Sequence, residues 1–147
     1  MISIRRKDFD IQKELDSIIT KSGNDSALSI FIGKVRKEKK LRYLNIDCYP
    51  EMAKYQIKQI ADNANKRWKI NKVRIIHRYG ELHPGENIVT VITTANHRQD
   101  SLESNAYIMD YLKNCAPFWK KEIYEDHTEW VKQKSSDLLI MEKWDKV

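Results

Sequence analysis

The sequence predicts an α+β domain with an antiparallel or mixed β-sheet and about three helices. Apolar residues switch several times along the chain between the alternation of a strand and the spacing of a helix. The predicted strands come in hairpin-like pairs, unlike the strict βαβ order of a parallel doubly wound sheet. The chain has 147 residues, 41% of them hydrophobic, which suits a single domain over residues 1–147 with its own core.

The N-terminal part predicts a short strand followed by a helix. The strand covers Ile2–Arg5, and Asp8 or Asp10 can cap the helix that follows. The helix is expected to end at residues 22–24, which form the run Ser-Gly-Asn. Its apolar residues recur at helical spacing and are Ile11, Leu15, Ile18 and Ile19.

Two strands are predicted next, at Ala27–Val35 and Arg42–Tyr49, and we expect them to pair as neighbours. In the second strand, Leu44, Ile46 and Cys48 alternate with polar or amphipathic residues. Pro50 suits the first turn of a second helix that ends near Trp68. The apolar face of this helix is Ile57, Ile60, Ala61, Ala64 and Trp68.

The middle of the chain predicts a β-hairpin. Its strands are Lys72–Tyr79 and Asn87–Ala95, and the run GELHPGE joins them. Pro84 and Gly85 within that run form a dipeptide that is typical of turns.

A third helix is predicted at Gln99–Lys113, and Pro117 marks its end. Short strands at Phe118–Tyr124 and His127–Lys132 are expected to follow. The residues predicted to face inward from the helix are Leu102, Ala106, Met109 and Leu112.

The net charge of +6 is concentrated in two stretches. Lys34–Arg42 holds six basic residues against one acidic residue, and Lys54–Arg78 holds eight against one. Such a local field attracts nucleic acid, anionic lipid or a small anionic substrate, and charge alone leaves these alternatives open. A solvated surface of lysines is a further interpretation.

Several classes of protein and site are excluded by what the sequence lacks. No apolar run approaches the roughly 18 residues of a membrane helix, and the charged N-terminus has no apolar leader, so we expect a cytoplasmic protein. Cys48 and Cys115 are expected to stay reduced, with Cys115 the better candidate nucleophile. The four histidines lack metal-ligand spacing, and no glycine-rich nucleotide loop or GxSxG motif occurs. We therefore expect no metal and no cofactor.

The remaining candidates are cationic residues at the ends of predicted elements. They are Lys34 and Arg36 after a strand, His97 and Arg98 before a helix, and Lys113, Lys120 and Lys121 around Pro117. Residues at such boundaries are well placed to bind ligands, and the amides of a helix N-terminus favour an anion. The pattern therefore fits a phosphate-bearing ligand.

Five strings in this sequence resemble one known family. They are FIGKVR, CYPEMA, RW followed by VRIIHRYGELHPGE, TANHR, and IMDYLKNCAPFWKKE, in this order between Ala27 and Trp130. Together they resemble the large, catalytic subunit of molybdopterin synthase.

The resemblance implies an α/β-hammerhead-like fold and a sulfurtransferase of molybdenum cofactor biosynthesis. Such an enzyme converts precursor Z, a cyclic pyranopterin monophosphate, to molybdopterin by adding two sulfurs. The implied donor is a small ubiquitin-like sulfur-carrier subunit whose C-terminal Gly-Gly ends in a thiocarboxylate. Two large subunits are expected to form a homodimer within a heterotetramer with two small ones.

The resemblance also assigns site residues. It implies that Lys113 and Lys120 are catalytic, and that the substrate-binding residues are Lys34, Val35, Arg36, His97, Arg98, Lys121 and Glu122. A lysine crowded by other cations and partly desolvated should have a lowered pKa suited to proton transfer, and we choose Lys113 for that role.

One departure from the family pattern lies in the C-terminal tail. Lys132 and Lys134 stand where the pattern predicts an arginine, and a lysine lacks the bidentate fork of arginine. The tail is therefore left out of the predicted site. The alternatives to the enzyme are a small basic nucleic-acid-binding module and a catalytically inert partner subunit, and few aromatic residues interleave the basic stretches as nucleic-acid stacking requires.

Overall fold

The computed structural model describes residues 1–19, 23–132 and 135–145, and within them it has the predicted α+β class. The predicted elements are present, with ends shifted by a few residues. Helix α1 is shorter than expected and ends at Ile18; Ser22, in its predicted stop, lies outside the described residues. None of the helices in the described ranges is long and apolar enough to cross a membrane. In chain order the elements are β1 (Ile2–Arg5), α1 (Ile11–Ile18), β2 (Ala27–Lys34), β3 (Leu41–Asp47), α2 (Pro50–Arg67), β4 (Ile70–Arg78), β5 (Gly80–Leu82), β6 (Asn87–Ala95), α3 (Arg98–Cys115), β7 (Trp119–Tyr124), β8 (Thr128–Trp130) and α4 (Ser135–Asp145).

The strands form two four-stranded sheets. The first has the order β1-β4-β6-β2 and is mixed, because β1 runs parallel to β4. The second has the order β5-β3-β7-β8, with antiparallel neighbours throughout.

The predicted pairing of β2 with β3 is wrong, because the two strands belong to different sheets. The chain leaves β2 through the buried Val35, whose amide donates to the carbonyl of Glu86 at 2.9 Å. The amide of Gly85 donates in turn to the carbonyl of Val35. These bonds tie the end of β2 to the turn before β6 and direct the following chain into the second sheet.

The predicted hairpin of β4 and β6 is confirmed, and the connection between its two strands contains a further strand. Gly80, Glu81 and Leu82 form β5, which pairs with β3 of the second sheet. Gly80 has a φ of +92°, a conformation that favours glycine, and the Arg6 guanidinium lies 2.8 Å from where a Cβ would sit. The connection therefore joins the two sheets.

Two hydrophobic clusters lie side by side. The larger packs α2 and α3 against the first sheet, and the smaller lies on the second sheet around Val35, Leu44, Ile46 and Leu82. Ile88 and Phe118 pack against both clusters. A cleft opens at the junction of the two clusters.

The predicted inward face of α3 is partly wrong, because Leu102 and Ala106 are exposed. The buried face instead carries polar residues that bond to the sheet. Ser101 Oγ lies 2.7 Å from Ser29 Oγ, and Asn105 Nδ2 donates to the carbonyl of Ser29 at 3.0 Å. Buried polar groups are tolerated when they are hydrogen-bonded, so an apolar stripe misidentifies this face.

Helix α4 was not predicted, and one tryptophan holds it in place. Trp144 is buried edge-on against Trp68 and Tyr107, and its Nε1 donates to Asp110 Oδ2 at 2.7 Å. Two large apolar residues of α4, Leu139 and Ile140, are exposed, so the segment lacks the amphipathic pattern that would reveal a helix.

Candidate functional site

A cleft of about 570 Å³ opens where the two sheets meet the C-terminal end of α3. Its floor is apolar and includes Val35, Leu44, Val89 and Leu112. Its titratable and charged lining residues are Lys34, Arg36, His77, Lys113, Lys120, Glu122 and Lys132. Six of the nine residues that the sequence assigns to the site therefore lie together in this cleft.

The end of β2 supplies one wall of the cleft. The β2–β6 pairing shifts register at Lys34, so the strand ends where this lysine is exposed to the cleft. Val35 is buried and anchors the wall, as its bond to Glu86 shows. Arg36 is exposed, and its Nη1 lies 3.4 Å from Glu38 Oε1.

The opposite wall brings Lys113 and Lys120 together. Lys113 is exposed in the last turn of α3, and residues 116–118 lead directly into β7, where Lys120 is half-buried opposite Ile46. Burial lowers the pKa of Lys120, and the positive charge of Lys113 lowers it further.

Strand alternation separates the next two candidates. Side chains two residues apart share a face, so Glu122 lies on the same side of β7 as Lys120, and both line the cleft. Lys121 lies on the other side, where its Nζ is 5.3 Å from the centre of the Trp130 ring. The structure therefore does not bring Lys121 into the cleft.

His97 and Arg98 also lie away from the cleft of their own chain. His97 is the N-cap of α3 and Arg98 begins the helix, whereas Lys113 lies in its last turn. At about 1.5 Å per residue, Arg98 and Lys113 are roughly 22 Å apart along the helix axis. Both N-terminal residues are exposed.

His77 lines the cleft and was missed by sequence reasoning. Its ring stacks on Phe118 with 3.7 Å between centroids, and Nδ1 lies 2.8 Å from the carbonyl oxygen of Arg78. Burial and the nearby Lys120 lower the pKa of His77 to about 3, so the imidazole is neutral. No spacing in the sequence reveals this residue, because Phe118 and Lys120 are distant from it along the chain.

The tail that was left out of the predicted site also reaches the cleft. Val131 and Lys132, which follow β8, both belong to its lining. Lys134 lies outside the described residues. Lys132 therefore adds a positive charge to the cleft, at one of the two positions where the family pattern predicts an arginine.

The two cysteines do not have the properties of nucleophiles. Burial raises the pKa of the Cys48 thiol, with Asp47 adding to the effect, and burial also raises the pKa of Cys115. A reactive cysteine needs a lowered pKa. The preference for Cys115 over Cys48 is thus not supported.

Half of the basic residues in the second stretch pair with carboxylates of the described residues, with Arg78 Nη1 3.7 Å from Asp8 Oδ1. Such pairing lowers the local positive field that nucleic acid requires. The three closer pairs, each with an N–O distance of 2.9 Å, are Lys58–Asp62, Lys72–Asp25 and Arg74–Glu14.

Comparison with known proteins gives consistent results. The family model described as MoaE protein matches residues 4–115. A relative named molybdopterin synthase catalytic subunit, from Brucella melitensis, is 41% identical over 147 residues, covering 98% of this chain and 90% of the relative. A molybdopterin biosynthesis MoaE protein from Burkholderia ambifaria has a TM-score of 0.84 and 38% identity, covering 98% of this chain and 97% of the other. Molybdopterin synthase from Staphylococcus aureus has a TM-score of 0.81 and 29% identity, covering 89% of this chain and 96% of the other.

Proposed function

Because the chain belongs to the MoaE protein family, we propose that its cleft is the site where sulfur is inserted into precursor Z to form molybdopterin. The resemblance found in the sequence is confirmed, and the nucleic-acid-binding alternative is not supported. The chain is the catalytic subunit of a sulfurtransferase, and each of two sulfurs comes from a thiocarboxylated donor subunit.

The observation that carries this proposal is the convergence of cations in one cleft. Lys34 and Arg36 come from the end of β2, Lys113 from the end of α3, Lys120 from β7, and Lys132 from the segment after β8. A cyclic phosphate and a thiocarboxylate are both anions, and opening the phosphate ring develops further negative charge. Fixed cations in a partly desolvated cleft stabilise that charge in the transition state.

The cleft supports a division of roles between the two catalytic lysines. The sequence-based prediction gave proton transfer to Lys113, but burial lowers the pKa of Lys120, which favours Lys120 for that step. Lys113 supplies the neighbouring positive charge and a contact for the anionic substrate. Arg36 can hold phosphate oxygens in a bidentate contact, with Lys34 beside it.

The neutral His77 forms part of the wall beside Lys120. Its imidazole excludes water without adding a positive charge that would compete for the phosphate. Glu122 is the one carboxylate among the lining residues described, and we assign it to substrate binding as the sequence predicts.

The proposed partners are the small ubiquitin-like sulfur carrier and a second copy of this chain. The donor's Gly-Gly tail has no side chains, so it can lie extended in a narrow cleft and bring its thiocarboxylate to Lys120. His97 and Arg98 are too far from Lys113 within one chain to share its cleft, so we assign them to the cleft of the second copy in the homodimer. Lys121 can bind substrate only through a contact outside the cleft and stays a prediction.

We further propose that residues 1–147 form one domain and that the protein is cytoplasmic. Helix α4, beyond the family match at 4–115, packs on α3 through Trp144, which supports one domain over residues 1–147. The free thiols of Cys48 and Cys115 are consistent with the reducing environment of the cytoplasm.

Reconstitution tests the proposal. The purified chain is mixed with precursor Z and a thiocarboxylated donor, and molybdopterin is measured; a donor ending in an ordinary carboxylate is the chemical control. We expect product with the wild type and with Lys58→Ala, a lysine variant on α2 outside the cleft, and a severe loss with Lys120→Ala. No product with the wild type, or full turnover by Lys120→Ala, contradicts the proposal.

A further inference from the structure

A chain of polar side chains connects the two walls of the cleft just outside it. Arg36 Nη1 lies 3.4 Å from Glu38 Oε1, and Glu38 Oε2 lies 3.0 Å from the hydroxyl of Tyr124. The same hydroxyl lies 2.7 Å from Glu122 Oε2. Arg36 and Glu122 line the cleft, whereas Glu38 and Tyr124 are not among its lining residues.

The Tyr124 hydroxyl has one hydrogen for two carboxylates. The shorter distance, 2.7 Å against 3.0 Å, favours Glu122 as the acceptor. The hydrogen bond to Glu122 and the nearby carboxylate of Glu38 raise the pKa of Tyr124 far above its ordinary value, so the hydroxyl keeps its proton and remains a donor.

The ring of Tyr124 is also held in place. It stacks on His127 with 4.6 Å between centroids and 6° between planes. The two nitrogens of His127 lie 2.7 Å from Asp126 Oδ1 and 3.0 Å from Glu129 Oε1. The hydroxyl that Glu122 accepts from therefore has a fixed position.

Glu122 needs such a restraint because it lies among positively charged side chains. It shares a face of β7 with Lys120 in a cleft lined with cations, and a free carboxylate there is drawn to a lysine. A carboxylate paired with Lys120 would stabilise the charged lysine and occupy a cation that the substrate anion requires. The other titratable or charged groups lining the cleft with Lys120 are Lys34 and Arg36 from β2 and the residues after it, His77 from β4, Lys113 from α3, and Lys132 after β8.

We propose that Tyr124 is a positioning residue that holds Glu122 at the rim of the cleft and away from Lys120. The inference rests on the proposed function only in treating the cleft as the active site. Tyr124 itself touches no substrate; it acts through Glu122, by fixing one oxygen of that carboxylate.

The test removes the Tyr124 hydroxyl alone. In Tyr124→Phe we expect the pKa of Lys120, followed by NMR on ¹³C-labelled lysine and assigned with Lys120→Arg, to rise by roughly one unit. The KM for precursor Z should rise several-fold, and the acidic limb of the pH–rate profile should move to higher pH. Tyr55→Phe, on the exposed face of α2, is the matched control and should leave all three unchanged.

A second variant separates the charge of Glu122 from any general disturbance. Adding Glu122→Gln to Tyr124→Phe removes the carboxylate, so the pKa of Lys120 should fall back to the wild-type value or below. An unchanged pKa of Lys120 in Tyr124→Phe, or a shift that persists in the double variant, overturns the inference. The titration needs no turnover, so it tests Tyr124 even if reconstitution yields no molybdopterin and the proposed function fails.

Discussion

Lys113 acts on Lys120 across the short turn that joins α3 to β7. Lys113 is the exposed member of the pair and Lys120 the half-buried one, and both line the cleft. Burial is the larger cause of the lowered pKa of Lys120, and the charge of Lys113 is the second. Changing Lys113 should therefore alter the titration of Lys120.

Lys113→Ala should raise the pKa of Lys120. A neighbouring cation disfavours a second positive charge, so its removal stabilises protonated Lys120. If neutral Lys120 is the active form, the acidic limb of kcat/KM against pH moves to higher pH, and the rate at neutral pH falls. Lys58→Ala serves as the control; a profile for Lys113→Ala that keeps its wild-type midpoint contradicts the coupling.

Lys120→Arg tests whether proton transfer, and not charge alone, is required. Arginine keeps the positive charge but does not lose its proton near neutral pH. We expect kcat to fall by about 10²- to 10⁴-fold, the usual contribution of a general acid or base, with a smaller change in KM. Near-native kcat would show that Lys120 acts only as a charge.

The sequence predicted most elements of the fold but not how the strands are arranged. Alternation in β3 and helical spacing in α2 were correct, because each depends on local burial. The pairing of β2 and β3 was wrong, because the bond between Val35 and Glu86 joins residues distant along the chain. The inward face of α3 was misjudged because hydrogen bonding, not hydrophobicity, allows its burial.

The candidate site, too, could be predicted only in part from the sequence. Strand alternation alone predicts that Lys121 and Lys120 lie on different faces of β7. The rise of an α-helix likewise predicts a long distance between Arg98 and Lys113 at the two ends of α3. His77 offered no such signal, because its role depends on stacking against Phe118, which lies in the turn before β7. Contacts of this kind appear only once the chain is folded.

Asn105→Ala should destabilise the protein although it removes only a polar side chain. Asn105 Nδ2 donates to the carbonyls of Ser29 and Val91 at 3.0 and 2.9 Å, in a buried position between α3 and the first sheet. Loss of these bonds should lower the free energy of unfolding by about 2–3 kcal/mol, measured by urea denaturation. Leu102→Ala, on the exposed face, should cost about 0.5 kcal/mol or less. If Leu102→Ala were the more costly change, the inward face would have been assigned wrongly.

His127 should make stability depend on pH. Its bonds to Asp126 and Glu129 raise its pKa above the ordinary 6.5, so its contribution is complete below about pH 6.5 and is lost as the pH rises through the folded-state value. The hydrogen bond to His127 also lowers the pKa of Asp126 below 3.8. Asp126 therefore stabilises the folded state above about pH 3.8, and this contribution is lost as the pH falls through the folded-state pKa. We therefore expect His127→Gln to reduce the free energy of unfolding most near pH 5–6. A difference from the wild type that grows toward pH 9 would contradict this sign.

A mixing experiment tests whether His97 and Arg98 serve the cleft of the second copy. Lys120→Ala and Arg98→Ala are each expected to be severely impaired alone. When equal amounts are co-refolded, about half of the dimers contain one chain of each kind, and each of these has one cleft with both an intact Lys120 and an intact partner Arg98. Activity should therefore recover to about a quarter of the wild-type value.

If Arg98 served the cleft of its own chain, one chain of each mixed dimer would lack Lys120 and the other Arg98, so no intact site could form. Mixing would then restore nothing, and a tag on one of the two chains, which allows the mixed dimers to be isolated and assayed, distinguishes this result from failed exchange.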